Sequence, residues 1–236
     1  MTSAHPAVPS LQPLAAPGSR YRISDAVFTA LSESIRSLRL PPGSPISEPG
    51  IAASLQVSRS PVREAITRLV DLGLVIVVPQ VGSQIAPISI REVEEAVFIR
   101  RALETSAFQQ AIARGAPDTT EMRGHLDANL AAAAAGDPEA FFETDELLHQ
   151  SVFRLAGVPR LWEVLRGTKL QLDRLRRLNL EASIEDHDLL GEHGELVEAL
   201  SSRDAAAGVQ VIDRHATRVL TDATRLRAEH PDFFTA

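Results

Sequence analysis

The chain has 236 residues, 44% hydrophobic and 23% charged, which is typical of globular proteins and leaves room for one large domain or two ordinary ones. It has no cysteine, which excludes disulfides and thiolate metal sites, and no apolar run long enough to span a membrane. The first residues lack a basic region followed by an apolar core, so they predict no signal peptide. We therefore expect a cytoplasmic protein with no membrane partner.

The net charge of -7 is unevenly distributed along the chain. Residues 1–19 carry no charged side chain, and residues 20–88 hold seven arginines against five acids, which leaves -9 for the remainder. An acidic C-terminal part repels a polyanion. The asymmetry predicts two domains with different partners and confines any contact with nucleic acid to the first.

Three helices are predicted after a disordered tail over residues 1–19, which is rich in Pro, Ala and Ser. Apolar residues at helical spacing predict these helices over residues 23–39, 48–55 and 59–72. The predicted buried stripes are Val27, Leu31, Ile35 and Leu38 in the first helix and Val62, Ile66, Leu69 and Val70 in the third.

A β-hairpin is predicted next. Residues 74–88 read "LVIVVPQVGSQIAPI", which is two β-rich runs around a turn at Gly82. Three helices followed by a hairpin are the outline of a winged helix-turn-helix, with the hairpin as the wing.

The third predicted helix carries polar residues at its N-terminal end. Arg59, Ser60 and Arg63 share the face opposite the buried stripe, and Ser58 or Ser60 can cap the helix. Arginines at the start of a recognition helix can grip guanine in a bidentate fork, and hydroxyls can bind bases or phosphates. An ordinary solvated face is the alternative, but the preceding turn and the following wing favour DNA readout.

The rest of the chain is predicted to be wholly helical. Apolar spacing and breaks at Pro or Gly predict six helices, near residues 90–114, 118–135, 138–156, 159–179, 186–202 and 204–228. Six helices in this length form a compact α-bundle. The predicted fold is therefore mainly α, a winged helix-turn-helix followed by an all-α bundle.

Three of the seven histidines lie on apolar helix faces: His149, His193 and His215. Asp145 precedes His149 by one helical turn. Burying a carboxylate and three imidazoles is costly unless they are paired or bind a cation. Such a set suits zinc, nickel or manganese, whereas the alternative is that each is a hydrogen-bonded core histidine.

The N-terminal motifs resemble a known family. "SRSPVREAITRLVDLGLV", preceded by "LPPGSPISEPGIAASLQV", is similar to the DNA-binding domain of GntR-family transcription regulators over residues 23–88. The resemblance implies DNA contacts from Ser58, Arg59, Ser60 and Arg63 and an approach of Gly82 to the backbone or minor groove. Pro49 and Val81 replace residues that are often basic in the family, which predicts weaker wing binding or another base preference.

The C-terminal part resembles the FCD ligand-binding domain of FadR-type GntR regulators. That domain has an Asp-x-x-x-His helix, a later His-x-x-[IL]-[LV]-x-A-[IL] pattern, here "HGELVEAL", and a final His 22 positions on. The resemblance implies a divalent metal, most often zinc, held by Asp145, His149, His193 and His215. Six helices instead of seven favour the VanR-like variant.

Arg100 lies on the inward stripe of the first bundle helix. "RRALETSA" at residues 100–107 resembles the opening R-x-x-L-E of the FCD domain. Its side chain either pairs with an acid of its own bundle or receives an effector carboxylate beside the metal. Both roles stay open from the sequence.

These patterns predict a transcription regulator and not an enzyme. Residues 20–88 are expected to bind a DNA operator, residues 89–230 to form the metal-binding, effector-binding and dimerisation domain, and residues 231–236 to be a tail. The expected behaviour is repression by a homodimer on a palindromic operator, controlled by a small organic acid. The alternatives are a regulator with a purely structural metal and a metal-dependent hydrolase with a nucleic-acid-binding module, which no HExxH motif supports.

Overall fold

The computed structural model describes residues 22–80 and 82–235. The predicted disordered tail over residues 1–19 and the wing position Val81 lie outside these residues. The chain divides into two compact units. The first consists of the described parts of Met1–Ser89 and Glu229–Ala236, and the second consists of Ile90–Ala228. No helix among the described residues combines the length and the apolar character needed to cross a bilayer.

Three helices build the first unit, as predicted: α1 (Ile23–Arg36), α2 (Glu48–Leu55) and α3 (Arg59–Asp71). The predicted end of α1 at residue 39 was wrong. Leu38 takes a left-handed backbone conformation with φ 58°, and the turn places Leu40 in the core instead. The backbone N–H of Leu40 closes this turn by donating to the carbonyl of Ser34 at 2.9 Å.

Helix α3 buries one face and exposes the other. Val62, Ile66 and Leu69 are buried as predicted, but Val70 is 36% exposed. Ala65 is buried in its place because it lies one turn from both Val62 and Leu69, whereas Val70 lies about 100° around the helix from Leu69.

The predicted hairpin consists of β2 (Val75–Val78) and β3 (Gly82–Ile85), paired antiparallel from Val75 opposite Ile85 to Val78 opposite Gly82. A two-residue strand, β1 (Pro45–Ile46), pairs with the other edge of β3 and was not predicted. It is too short to show a sequence alternation. The three-stranded order β1-β3-β2 makes the wing part of a small sheet.

The C-terminal residues also contribute to this unit. A 3₁₀ turn at Pro231–Phe233 leads to a bridge between Phe234 and Ile88, in which the N–H of Ile88 donates to the carbonyl of Phe233 at 2.7 Å. Phe234 is buried. Residues 231–236 were predicted to be a tail, and this pairing was not predicted.

The second unit is all-helical among its described residues. Its helices are α4 (Ile90–Ala113), α5 (Thr120–Ala135), α6 (Pro138–Leu155), α7 (Arg160–Thr168), α8 (Leu170–Leu178), α9 (Leu180–Ile184), α10 (His187–Ser202) and α11 (Ala205–Glu229). The predicted count of six was therefore wrong, and with it the argument for the VanR-like variant.

The single helix predicted over residues 159–179 is broken at Lys169. Gly167 is a weak helix former, and the Thr168 hydroxyl donates to the carbonyl of Leu165 at 2.9 Å. The backbone of Lys169 leaves the helical region with φ -102° and ψ 19°. Its amine is buried between Glu146 and Asp173, at 2.7 Å from a carboxylate oxygen of each.

The core of the second unit lies between α4, α6, α10 and α11. Phe108, Phe153, Leu200 and Ile212 are among its buried side chains. Gly208 on α11 leaves room for the ring of Phe108 on α4, because a Cβ at this position would lie 2.1 Å from that ring. This packing fixes the helix faces that carry the three inward histidines.

Candidate metal centre and nucleic-acid interface

The four predicted metal ligands come together inside the second unit. Asp145 and His149 lie one turn apart on α6, His193 lies on α10 and His215 on α11. All four are buried, and one ligand atom from each falls within 4.8 Å of the others. The other described histidines, His125, His187 and His230, lie outside this group.

Each imidazole is held at its Nδ1 by an acceptor from elsewhere in the bundle. The Nδ1 of His149 lies 3.1 Å from Glu104 Oε2, and the Nδ1 of His215 lies 3.2 Å from Glu192 Oε2. The Nδ1 of His193 lies 2.9 Å from the amide oxygen of Asn129. Partners of this kind orient metal-ligating histidines in proteins.

The hydrogen-bond network assigns the tautomer of His193. The amide nitrogen of Asn129 donates to the carbonyl of Phe141 at 2.9 Å and to Thr144 Oγ1 at 3.1 Å, so its oxygen is left to accept. The Nδ1 of His193 therefore carries the proton. Its Nε2 has a lone pair directed at the centre.

The same assignment holds for the other two rings because both carboxylates are ionised. Burial alone would raise the pKa of Glu104, but Arg100 and His149 hold it far below its usual value. Burial would likewise raise the pKa of Glu192, but hydrogen bonds from His215 and Arg218 lower it to about 2. Ionised carboxylates only accept, so His149 and His215 donate through Nδ1.

Acceptor atoms consequently face one another in the centre. The Nε2 atoms of His149 and His215 lie 3.1 Å apart, and the Nε2 of His193 lies 3.1 Å from Asp145 Oδ1. Among the described residues, the Nε2 of His193 has no aligned hydrogen-bond partner. Converging acceptors repel one another, and a cation held between the four would remove this repulsion, so the residues present fit a metal ion.

The protonation states of the ligands agree with this fit. Burial lowers the pKa of His193, and it lowers the pKa of His215 to about 3. Burial raises the pKa of Asp145, but the charge of Arg176 opposes it, and the pKa lies well below its usual value. Neutral imidazole and ionised carboxylate are the forms that bind metals.

The second oxygen of Asp145 is held by a buried ionic network. Arg176 donates to it through one guanidinium nitrogen, and through the other to Glu146 Oε1 at 2.9 Å. Glu146 and Asp173 in turn enclose the amine of Lys169. The network fixes the carboxylate so that Oδ1 points at the three imidazoles.

A cavity of about 120 Å³ adjoins the centre. The charged side chains that line it are Arg100, Asp145, Arg176, Asp186, Arg218 and Asp222, together with the edge of His215. Phe141, Phe142 and Leu180 supply apolar walls. The lining thus presents three guanidinium groups and three carboxylates, and it includes two of the four candidate ligands, Asp145 and His215.

Arg100 makes the ion pair that was one of its two predicted roles, and the effector-binding role stays a prediction. Its Nε donates to Glu104 Oε1 at 2.8 Å, which is an ion pair within α4, and its side chain also lines the cavity. Its Nη2 donates to the Nε2 of His149 at 2.9 Å. The guanidinium therefore reaches into the group of metal-ligating atoms.

The residues that orient the ligands were missed from the sequence: Glu104, Asn129, Arg176 and Glu192. Glu104 was visible as the last residue of the R-x-x-L-E pattern, and Glu192 directly precedes a predicted ligand. Asn129 carried a weaker signal, an amide at an inward position of an alanine-rich helix. For Arg176 the pattern "RLRRLNL" gave no indication of which arginine points inward.

The predicted DNA-contacting residues lie on the exposed face of α3 and at the wing. Arg59, Ser60 and Arg63 are exposed, and Ser58 is the N-cap residue but makes no side-chain capping bond, contrary to the expected cap. Gly82 is exposed at the start of β3 with φ 112°, a conformation that favours glycine. A Cβ there would meet nothing within 4 Å.

An ion pair joins α2 to this face. The Nη2 of Arg63 lies 3.0 Å from Glu48 Oε2, and its Nε lies 3.2 Å from the same oxygen. The hydrogen bond and charge of Glu48 raise the pKa of Arg63. Glu48 therefore holds one edge of the guanidinium and leaves the other edge toward solvent.

Comparisons with known proteins identify both units. Residues 95–218 match the FCD domain, and residues 23–85 match the bacterial regulatory proteins of the gntR family. The chain is 33% identical, over 88% of each sequence, to an uncharacterized HTH-type transcriptional regulator in an unstable DNA locus of Streptomyces ambofaciens. It is 27% identical to the HTH-type transcriptional repressor RspR of Escherichia coli (strain K12), over 90% of this chain and 94% of the repressor.

A solved structure shares the fold. The chain matches E. coli McbR/YncC with a TM-score of 0.71 at 22% identity, over 89% of this chain and 99% of the other. The similarity therefore covers both the helix-turn-helix unit and the helical unit.

Proposed function

Because this chain belongs to the GntR family of bacterial regulatory proteins and carries an FCD domain, we propose that it represses transcription as a homodimer controlled by a small carboxylate at a metal centre. Family membership confirms the resemblance drawn from the motifs and makes the chain a DNA-binding transcriptional regulator, not an enzyme. RspR is named a transcriptional repressor, which supports repression here. A regulator of chromosomal DNA acts in the cytoplasm.

The convergence of four acceptor atoms is the observation that supports metal-dependent sensing. Asp145, His149, His193 and His215 would hold the ion, and three nitrogens with one carboxylate oxygen suit zinc first, with nickel and manganese as further candidates. Four protein ligands leave coordination positions for nickel or manganese, and for zinc when it expands its coordination. When bound, the ion would supply a Lewis-acidic contact for an anionic group.

The adjoining cavity supports a small organic acid as the effector. Arg100, Arg176 and Arg218 line it, and the planar guanidinium fork matches a carboxylate. The size of the cavity favours a small metabolite over a peptide. Binding controls DNA affinity only if the acid prefers one geometry of the dimer, which typically corresponds to about 1–3 kcal/mol.

The exposed face of α3 supports a major-groove interface. Ser58, Arg59, Ser60 and Arg63 would contact bases and phosphates, and Gly82 would let the wing approach the backbone or minor groove. A two-fold symmetric dimer would place two such helices about 34 Å apart on a palindromic operator.

Metal content tests the proposed centre. Purified protein should hold about one divalent ion per chain, measured by plasma mass spectrometry after dialysis. His193→Ala should lose most of it, whereas His187→Ala, an exposed histidine of the same helix, should keep it. Unchanged metal content in His193→Ala would refute the four-ligand assignment.

A thermal-shift screen of small carboxylates, with and without chelator, tests sensing. An effector should raise the melting temperature only while the metal is present. If the metal stabilises the protein but no acid binds, the metal is structural. The hydrolase alternative has no support, since the relatives are regulators.

A further inference from the structure

We propose that Arg100 and the metal ion use the same lone pair of His149, so that metal binding turns the Arg100 guanidinium into the cavity as the receptor for the effector. This inference rests on the proposed function. It adds an order of binding to that function, in which the metal binds first and the acid second.

Competition follows from the chemistry of His149. Its Nδ1 donates to Glu104, so its Nε2 offers a single lone pair. The Nη2 of Arg100 is a donor at 2.9 Å from that atom. One nitrogen lone pair cannot serve a guanidinium proton and a metal ion at once.

Arg100 is the donor that reaches this group of acceptors among the described residues. Arg176 donates to the outward oxygen Oδ2 of Asp145, and the groups that hold the rings on their Nδ1 side are acceptors. The guanidinium therefore partly relieves the repulsion that a cation would remove. It acts as an internal substitute for the metal.

The second anchor of Arg100 allows it to turn without losing its charge partner. Its Nε donates to Glu104 Oε1 at 2.8 Å, and its side chain also lines the cavity. Because the guanidinium is planar, rotation about the Cδ–Nε bond moves the Nη atoms and the Nε–H together, while the charge stays beside Glu104. The displaced Nη atoms then face the space that an acid would enter.

Coupling is reciprocal by thermodynamic necessity. If metal binding releases Arg100 for the acid, the acid must also strengthen metal binding. Removing the guanidinium should likewise strengthen metal binding, because nothing then competes for the lone pair of His149. The acid should at the same time lose its metal-dependent affinity.

The experiment measures zinc affinity by chelator competition in the full-length protein. Arg100→Met and Arg100→Lys should each bind zinc more tightly than the wild type, by about fivefold or more. The lysine variant keeps a charge beside Glu104, so its gain reports the lost contact with His149 and not the lost charge. Arg101→Met is the matched control, since Arg101 pairs with Asp213 at 2.9 Å outside the centre and should leave affinity unchanged.

Crystal structures of the wild type, one with zinc and one after chelation, test the contact between Arg100 and His149 without any substitution. Arg100 Nη2 should leave His149 Nε2 in the first and contact it in the second. Unchanged zinc affinity in both Arg100 variants, or an Arg100 that contacts His149 Nε2 while zinc is bound, overturns this inference alone. A wild type that binds no divalent metal overturns the proposed function as well.

Discussion

The Nε2 atoms of His149 and His215 lie 3.1 Å apart, and the Nδ1 atom of each is bound to a carboxylate. In a neutral His215 one ring nitrogen donates and the other carries a lone pair. In either tautomer that lone pair faces another acceptor, His149 on one side or Glu192 on the other. A proton cannot satisfy both sides of a neutral ring. A cation at the centre can, and this gives the orienting acids a measurable role in metal affinity.

Glu192→Gln is expected to lower zinc affinity by about tenfold, because the orienting charge on the Nδ1 side of His215 is lost. Chelator competition measures the change. Glu195→Gln is the matched control, since Glu195 also pairs with Arg214 but does not touch His215. Equal affinities in the two variants would show that Glu192 serves only its ion pairs with arginine.

Arg63→Ala is expected to weaken operator binding by about 1–3 kcal/mol and to relax specificity at the base it reads. The operator is first selected from a random duplex pool with the wild-type protein, and affinity is then measured by fluorescence anisotropy. Arg91→Ala removes an exposed arginine outside this face and should leave affinity unchanged. An unchanged operator affinity for Arg63→Ala would show that this face of α3 does not read the operator.

Glu48→Gln is expected to raise affinity for non-specific duplex while reducing the preference for the operator. The substitution removes a negative charge from the proposed DNA-binding face, and it releases the edge of Arg63 that Glu48 holds. The ratio of operator to non-specific affinity at one salt concentration measures the effect. A ratio equal to or above the wild-type value would show that Glu48 does not orient Arg63.

The positions of the four ligands were predictable because helical periodicity alone places Asp145, His149, His193 and His215 on inward faces. Their shared centre also needed the family pattern, since periodicity on one helix says nothing about which other helix it meets. The orienting contacts of Glu104 and Asn129 depend on side-chain geometry across four helices. No local pattern encodes such contacts.

Helix ends and breaks were less predictable for a related reason. The break at Lys169 is stabilised by a buried ionic cluster with Glu146, which lies on another helix and 23 positions away. The early end of α1 depends on Leu40 reaching the core, which competes with continued helix at Leu38. In both cases tertiary contacts decide between local conformations of similar propensity.

Gly208→Ala is expected to destabilise the second unit by about 1–3 kcal/mol, although alanine is the better helix former. The added methyl would lie 2.1 Å from the ring of Phe108, which is fully buried and cannot move away without displacing its neighbours. Gly191→Ala on α10 is the matched control, because a Cβ there meets nothing within 4 Å. It should stabilise the protein by roughly 0.5–1 kcal/mol through helix propensity alone.

Urea unfolding followed by circular dichroism at saturating metal measures both changes in the free energy of unfolding. If the two substitutions change the free energy of unfolding in opposite directions, the ring of Phe108 packs against α11 at Gly208 too closely for a methyl group. Since His215 lies seven residues along the same helix, Gly208→Ala should also weaken zinc binding while Gly191→Ala does not. A stabilised Gly208→Ala variant would contradict the close helix contact and the placement of His215 that depends on it.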